Sequence, residues 1–569
     1  MSARLARILS EHALLTLLLV VLGTFLLYPI WLTVKGGFAE DPSTGAGFTF
    51  EHIALVFEDP TTLEGLINAG KIGIATTILS AILGVPLAVL SARHSFPFKK
   101  ILNAAILVPL ILPPFVGAIG MKALLGREGT LNALLGTDFD ILGQGRFWGV
   151  IVVQALHLYP IIYLNAVAAL ANLDPALTES AENLGAGRFR RFFTITLPLI
   201  RPGLFAGGTI VLIWAFTELG TPLIFDYYAV TPVQIFYGLK EIEGSARPYA
   251  LTVVLLVVSI AIYAVGKVLF GQRGHAMQTR ASRAGSEAPL TGAAGWLAAI
   301  GFGAVSLLAV VPHIGVVLTS LTVPGSWYSS VLPESFTVSH LQAALSSPDS
   351  FNAIRNSLSL SVAAVVLNVV FGLAAAYLIA RTRVRGRSLL DSMCMLPLAV
   401  PGLVMAFGYV ALSLQPPFDG VFDIVGQDPN PFPLLIIAYA VRRLPYIVRS
   451  AVAGLEQTSG DLEEAAMNLG ASRMMAIRTV VVPLILANII AGALLVFSFS
   501  MLEVSDSLLL AQREVHYPIT KMIFALSERL GDGPYIASAM GVWGMGILTV
   551  TLVGASMLLG KKLGAVFRV

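Results

Sequence analysis

Twelve long apolar segments constrain the fold of this chain more than any other feature of its sequence. A helix must contain about 20 predominantly apolar residues to cross the hydrocarbon core of a bilayer, and each segment meets that length. The sequence therefore predicts an all-α membrane protein with twelve transmembrane helices. We place them at residues 12–34, 66–92, 101–125, 147–171, 200–223, 248–270, 293–320, 356–381, 389–414, 433–455, 482–511 and 537–562.

The composition excludes a soluble protein. Of the 569 residues, 56% are hydrophobic and only 12% are charged, and the mean hydropathy is +0.82. Soluble domains carry about a quarter charged residues, so most of this surface must face lipid. The single cysteine, Cys394, excludes a disulfide framework and a cysteine-based metal site.

The distribution of charge predicts the orientation in the membrane. If the N-terminus is cytoplasmic, most of the 36 Lys and Arg residues fall on the inner side, as the positive-inside rule requires. The predicted outer loops instead collect acidic residues such as Asp41, Asp138 and Asp419. We therefore expect a multi-pass protein of the bacterial inner membrane with both termini in the cytoplasm.

The chain is also a tandem repeat. In the first part of each copy the offset is 288 residues, and after a short deletion it becomes 285. Because each copy has six spans, both halves have the same orientation and form parallel repeats. The predicted repeats are 1–270 and 293–569, joined by a polar cytoplasmic linker at 271–292. The matching pairs include Asn68/Asn356, Gly84/Gly372, Arg93/Arg381, Gly120/Gly408, Pro160/Pro445, Gly207/Gly492 and Glu218/Glu503.

One cytoplasmic loop occurs in both repeats, at 174–201 and 459–485. Its pattern predicts a short helix, a turn at Gly185 or Gly470, and a second helix that ends near Pro198 or Pro483. Two short helices that lie across the membrane surface would offer a compact projection to a partner protein.

The loop resembles the EAA loop of the permeases of binding-protein-dependent ABC importers. The second copy matches the family pattern at Glu464, Ala465, Ala466 and Gly470. The first copy matches at Glu179, Ala181 and Gly185, with Ser180 in place of an alanine. The resemblance implies the type I ABC importer permease fold and a docking role for these residues.

The resemblance also implies partners. Each loop would dock on a separate ATPase subunit, so two such subunits, expected as a homodimer, would supply ATP and Mg²⁺. No cofactor is expected in this chain. A separate periplasmic or lipid-anchored solute-binding protein would deliver the cargo, and no nucleic acid is expected to bind.

The layout of a fused double permease resembles the ferric iron importers, with thiamine importers as relatives. Ferric iron is therefore the expected cargo, moved by alternating access. Similar permeases are also assigned to aminoethylphosphonate, so thiamine, aminoethylphosphonate and other small solutes stay open as alternatives.

Two other classes of protein are less consistent with the sequence. A secondary transporter could have twelve spans in parallel repeats, but it gives no reason for the paired loops. An enzyme would need catalytic residues, and the sequence has no HExxH motif or nucleophile constellation. A Walker-like string at 65–72 lacks its final Ser or Thr and begins a membrane helix, so we expect no ATPase activity.

Ionisable residues within the spans are candidates for function, because burying a charge in a membrane is costly. His157 aligns with Arg442, next to Arg443, and Glu218 aligns with Glu503. In one interpretation these residues line the translocation path. In the other they form salt bridges between helices, for example between Arg443 and Glu503. The sequence does not separate the two interpretations.

Overall fold

A computed structural model describes residues 3–559 apart from 42–44, 112, 141, 143–145, 172, 174, 240–244, 271–287, 425 and 427–428. Most of the predicted linker and both chain ends therefore lie outside the described residues. What is described is almost entirely helical, with one pair of two-residue strands.

The described residues of the first half form fourteen α-helices. They are α1 (Ala3–Leu22), α2 (Tyr28–Phe38), α3 (Glu51–Glu58), α4 (Pro60–Arg93), α5 (Lys99–Ala105), α6 (Pro114–Leu125), α7 (Thr130–Leu135), α8 (Phe147–Ala171), α9 (Pro175–Asn183), α10 (Arg188–Arg191), α11 (Leu197–Phe216), α12 (Gly220–Ile224), α13 (Thr231–Gly238) and α14 (Arg247–Phe270). A π-helical turn, Gly23–Leu27, joins α1 to α2, and β1 (His94–Ser95) follows α4.

The second half begins with β2 (Ala288–Pro289), which pairs with β1 in parallel and so ties the end of the linker to the first half. Its helices are α15 (Gly292–Leu321), α16 (Ser339–Ser346), α17 (Pro348–Arg381), α18 (Arg387–Met395), α19 (Gly402–Ser413), α20 (Phe432–Gln457), α21 (Asp461–Asn468), α22 (Arg473–Ala476), α23 (Val482–Leu484), α24 (Leu486–Met501), α25 (Ser505–Leu510), α26 (Ile519–Ser527) and α27 (Gly533–Leu559).

The number of membrane spans is eight to eleven among the described residues, so the predicted twelve are not confirmed. Eight helices are long and apolar enough to cross a bilayer, and three bent helix pairs raise the number to 11. The predicted span at 433–455 accounts for the difference. It is the continuous 26-residue helix α20, but Arg442, Arg443 and Arg449 make it too polar to qualify by composition.

Prolines break the third predicted span of each half at equivalent places. Lys99–Leu110 and Pro114–Leu135 meet at 96°, and Arg387–Leu398 and Gly402–Ser413 meet at 104°. A proline has no amide hydrogen to continue the α-helical ladder, so each break contains a short 3₁₀ turn, at Val108–Ile111 and Leu396–Leu398. The predicted spans 101–125 and 389–414 are therefore each interrupted near their prolines.

Three helices form the centre of each half, α4, α8 and α11 in the first and α17, α20 and α24 in the second. Glycines bring the backbones together, as is usual where membrane helices pack. A Cβ atom on Gly84 would lie 3.0 Å from the Tyr159 carbonyl oxygen, and one on Gly372 would lie 2.3 Å from Ile447 Cγ2.

The first membrane helix of each half packs on the other half. Helix α2 lies against α19, and α15 lies against α6. The two crossings use the same chemistry, since a Cβ on Gly408 would lie 2.7 Å from the Pro29 carbonyl oxygen and one on Gly120 would lie 2.5 Å from that of Pro312. The two sequence repeats are therefore interlocked rather than placed side by side.

Two short amphipathic helices, α3 and α16, precede the second span of each half, where the sequence analysis had placed only loops. They obey the 288-residue offset, with His52 equivalent to His340. His340 stacks on Tyr535, with 5.3 Å between ring centroids. The signal that could have found these helices is the repeat of Phe-Thr-x-x-His at 48–52 and 336–340.

Candidate functional site

The first repeated loop ends its leading helix with a glycine in the left-handed conformation. Gly185 has φ +81°. Its amide donates to the Glu182 carbonyl oxygen at 2.8 Å, and the Ala186 amide donates to that of Ala181 at 2.9 Å. This pair of bonds is the Schellman arrangement, which satisfies the last carbonyls of a helix and favours glycine at its turn.

The second repeated loop has the same geometry. Gly470 has φ +96°, and its amide donates to the Met467 carbonyl oxygen at 3.0 Å. The Ala471 amide donates to the Ala466 carbonyl oxygen at 3.1 Å. No other group lies within 4 Å of a Cβ built on Gly185 or Gly470, so the turn itself, not crowding, requires the glycine.

Both loops project apolar side chains away from the protein. Leu184 is 88% exposed and its equivalent Leu469 is 90% exposed. Phe189 and its equivalent Met474 are also exposed. Each loop therefore presents an exposed apolar surface, as the predicted contact with a partner protein requires.

The predicted docking residues lie on these surfaces. The exposed ones are Glu179, Gly185, Glu464, Ala465 and Gly470, whereas Ala181 and Ala466 are half-buried. The structure brings the predicted docking residues of each repeat together on one loop.

The second loop is anchored by a half-buried polar network that the sequence pattern did not predict. Arg473 donates to Glu11 Oε1 at 2.5 Å and to the Tyr377 hydroxyl at 2.8 Å, and it lies 3.8 Å from Glu463 Oε1. The Tyr377 hydroxyl also donates to Glu463. Because Glu11 belongs to α1, the N-terminal helix helps to hold the second docking loop in place.

The first loop is held by different polar contacts among its described residues. Arg191 pairs with Glu182 within the loop, and Arg93 donates to Thr196 Oγ1 at 2.7 Å. The equivalent of Arg473 is Arg188, which is exposed. The two loops thus share a backbone geometry, but Arg473 and its equivalent Arg188 differ in exposure and in their described contacts.

A cluster of four charged side chains lies where α20 meets the break between α24 and α25. Arg442 donates to Glu503 Oε1 at 2.6 Å and lies 3.5 Å from Asp506 Oδ2. Arg443 also donates to Glu503 and, at 2.9 Å, to the Phe499 carbonyl oxygen. The structure therefore contains the Arg443–Glu503 ion pair, one of the two interpretations left open by the sequence.

Gly402 makes room for this cluster. A Cβ atom at that position would lie 1.8 Å from Arg442 Nη2. Position 114, its equivalent in the first half, is a proline that faces the smaller His157 instead. A side chain at position 402 would therefore have to displace the Arg442 guanidinium.

The first half lacks most of this charge. Glu218 accepts hydrogen bonds from the backbone amides of Gly220 at 3.2 Å and Thr221 at 2.8 Å, and from Gln154 Nε2 at 3.5 Å. The Nδ1–H of His157 donates to the Pro109 carbonyl oxygen at 2.7 Å. The structure thus gives His157 and Glu218 separate hydrogen-bond partners.

The two halves meet beside these polar positions. A Cβ atom built on Gly220 would lie 3.2 Å from Val504 Cγ1. The helix break before α12 therefore contacts the helix break before α25. Further along, Phe236 and Phe524 meet edge to face, with 5.9 Å between ring centroids.

The end of the second half that lies opposite the docking loops has a cavity of about 380 Å³. It is lined by Arg355, Asn356, Asn430, Phe432 and His516, among others. Arg355 is exposed. Within the described part of the chain no three His, Cys, Asp or Glu residues are placed to hold a metal ion.

The fold is thus a repeated bundle of membrane-type helices with one similar exposed loop in each half. The chain matches the family described as "Binding-protein-dependent transport system inner membrane component" twice, at residues 84–273 and 368–556. It therefore belongs to that family and is an ABC importer permease in which two copies are fused. Proteins of this family are transport components and are not themselves catalytic.

Individual relatives match either most of the chain or one half of it. The chain is 26% identical to the Fe(3+)-transport system permease protein FbpB 2 of Haemophilus influenzae, over 92% of this chain and 94% of that protein. It is 26% identical to the ferric transport system permease protein FbpB of Actinobacillus pleuropneumoniae, over 84% and 68%. A probable molybdenum ABC transporter permease of Haloferax volcanii is 30% identical over 44% of this chain and 87% of its own length.

Proposed function

We propose that this permease imports ferric iron that a solute-binding protein delivers to its outer face. The names of the two relatives that match both halves support a ferric cargo. The mechanism is alternating access, in which the two halves tilt against each other and open the path first to one side and then to the other.

The observation that carries the coupling part of this proposal is the duplicated docking loop. The left-handed turns at Gly185 and Gly470 present Leu184 and Leu469 in the same way, 285 residues apart. Two equal surfaces fit two ATPase subunits, which form a homodimer and hold the ATP and Mg²⁺. Each subunit moves one loop as it closes on ATP.

The orientation follows from the charge pattern. The docking loops and both termini lie in the cytoplasm, where the Lys and Arg residues concentrate. The cavity lined by Arg355 then opens on the outer side, where the solute-binding protein docks.

The test is reconstitution of the full chain with its cognate ATPase and binding protein in proteoliposomes. Radiolabelled ferric ion bound to the binding protein should enter the vesicles only when ATP is present with the ATPase. Uptake driven by an ion gradient without ATPase would instead indicate a secondary transporter.

A molybdate importer is the second candidate, because a molybdenum transporter permease matches one half of the chain at 30% identity. Parallel assays with labelled molybdate, thiamine and aminoethylphosphonate in the same vesicles separate these cargoes. Uptake of any of them in place of ferric ion would overturn the iron assignment but not the importer mechanism.

A further inference from the structure

The two halves place a glutamate at the same structural position but surround it differently. Each half breaks its fifth predicted span and starts a short helix, α12 or α25. The carboxylate of Glu218 accepts from the Thr221 amide at 2.8 Å, and that of Glu503 accepts from the Asp506 amide at 3.2 Å. Capping the short helix is therefore the role that both glutamates share.

In the second half this charge is fully compensated. Arg442 and Arg443 both donate to Glu503, and Arg442 also pairs with Asp506. The four groups sum to no net charge. Glu503 is 4% exposed, so its carboxylate contacts protein groups and almost no solvent.

In the first half the same charge is left uncompensated. The two arginine positions are occupied by His157 and Leu158, and His157 donates to the Pro109 carbonyl. Within the residues that the structure describes, Glu218 is paired with no Lys or Arg, and its partners are two backbone amides and Gln154. A carboxylate held only by neutral donors keeps most of its attraction for a cation.

Glu218 is also placed where a cation could reach its carboxylate. It is half-buried rather than fully buried. Two residues further along, Gly220 approaches Val504 of the other half. Glu218 therefore lies beside the boundary between the halves, which is where a path opened by their relative tilting would run.

We propose that Glu218 is the carboxylate that contacts a cationic cargo as it passes between the halves, an inference that rests on the proposed function. The second half then supplies a rigid, neutral wall, and the first half supplies the attraction. The Glu218 carboxylate would not attract a neutral or anionic cargo.

The test compares Glu218→Gln with Glu218→Asp in the full chain, reconstituted with ATPase and with binding protein loaded with radiolabelled ferric ion. Glutamine keeps the oxygen that caps α12 but removes the charge. We expect iron uptake to fall by about tenfold, the effect of losing one charge-assisted contact. Binding-protein-stimulated ATP hydrolysis should stay near the wild-type rate, and Glu218→Asp should restore part of the uptake.

Glu58→Gln, an exposed carboxylate on α3, is the matched control and should leave uptake unchanged. Wild-type uptake by Glu218→Gln would overturn the inference, as would an equal loss of uptake, ATP hydrolysis and thermal stability, which would indicate a purely structural role. If the wild-type protein itself imports no ferric ion, the cargo assignment has failed instead.

Discussion

At the scale of single residues, glycines decide where charge and turns can be placed in this permease. Gly402 leaves the space that the Arg442 guanidinium fills, and Gly470 supplies the left-handed turn of the second docking loop. Gly402 lies among the membrane helices, whereas Gly470 lies on an exposed loop. Substitutions at the two positions should therefore have different consequences.

Replacing Gly402 with valine should destabilise the whole protein. The new side chain would displace Arg442 and leave Glu503 and Asp506 without one of their cations. Breaking a buried ion pair costs about 3–5 kcal/mol, so the thermal unfolding temperature in detergent should fall clearly. Gly301→Val is the control, because nothing lies within 4 Å of a Cβ there. Equal unfolding temperatures for the two variants would contradict the role given to Gly402.

Replacing Gly470 with valine should weaken ATPase docking while the fold is retained. A left-handed conformation costs a residue with a Cβ about 1–2 kcal/mol, which corresponds to about 5–30-fold in an equilibrium. The affinity of the purified permease for its ATPase should fall by that factor, with an unchanged unfolding temperature. Gly420→Val, in a loop before α20 where a Cβ also meets nothing within 4 Å, serves as the control. Normal ATPase affinity of Gly470→Val would count against the docking role.

At the scale of elements, the sequence predicted the positions of the helices better than it predicted which helices pack against each other. Apolar length located eight to eleven of the predicted spans among the described residues, and the repeat offset located both helix–turn–helix loops. The exchange of α2 and α15 between halves could not be predicted, because lipid and helix surfaces are similarly apolar and composition does not encode a partner. The contact of Arg473 with Glu11 was not predicted because 462 residues separate the two in sequence.

The crossing of α2 and α19 yields a prediction about packing. In Gly408→Val the new side chain would meet the Pro29 carbonyl oxygen and force the helices apart. Overpacking of this kind costs about 1–3 kcal/mol. The unfolding temperature should fall, whereas Gly301→Val on the exposed side of α15 should behave like the wild type. Equal stability of the two variants would show that the crossing is not tightly packed.

The docking loops should respond differently to loss of their equivalent arginines. Arg473→Ala removes the contacts to Glu11, Tyr377 and Glu463, so the second loop loses its anchor and ATPase affinity should fall about 5–30-fold. Arg188→Ala removes an exposed side chain and should change the free energy of unfolding by no more than about 0.5 kcal/mol. Thermal unfolding of both variants, with titration of the ATPase onto immobilised Arg473→Ala, measures these effects, and equal losses of stability would contradict the asymmetry.

At the scale of the whole molecule, the fused permease is held together by the exchanged helices as well as by its covalent linker. Each half donates its first membrane helix to the other, so separation of the halves would expose the glycine-lined surfaces of α6 and α19. The tilting proposed for transport must therefore carry each exchanged helix along with the half on which it packs.

Cutting the chain within the linker should not abolish assembly. Residues 1–280 and 281–569, co-expressed as separate chains, should co-purify and retain ATP-dependent uptake, because the helix crossings are intact. The Gly408→Val substitution in the second fragment should lower the recovered complex. Failure of the unmodified fragments to co-purify, when the uncut chain is recovered normally, would show that the linker is the main connection.

The exchange of helices also sets an order of events during biosynthesis. Roughly 380 residues separate Pro29 from Gly408, and at about 5–20 residues per second the ribosome takes roughly 20–75 s to make them. Helix α2 therefore enters the membrane long before α19 exists, and lipid or the insertion machinery must cover its contact face meanwhile. Helix α15 emerges when α6 is already in place. The two equivalent crossings thus form at different times, and the one made with the N-terminal segment forms last.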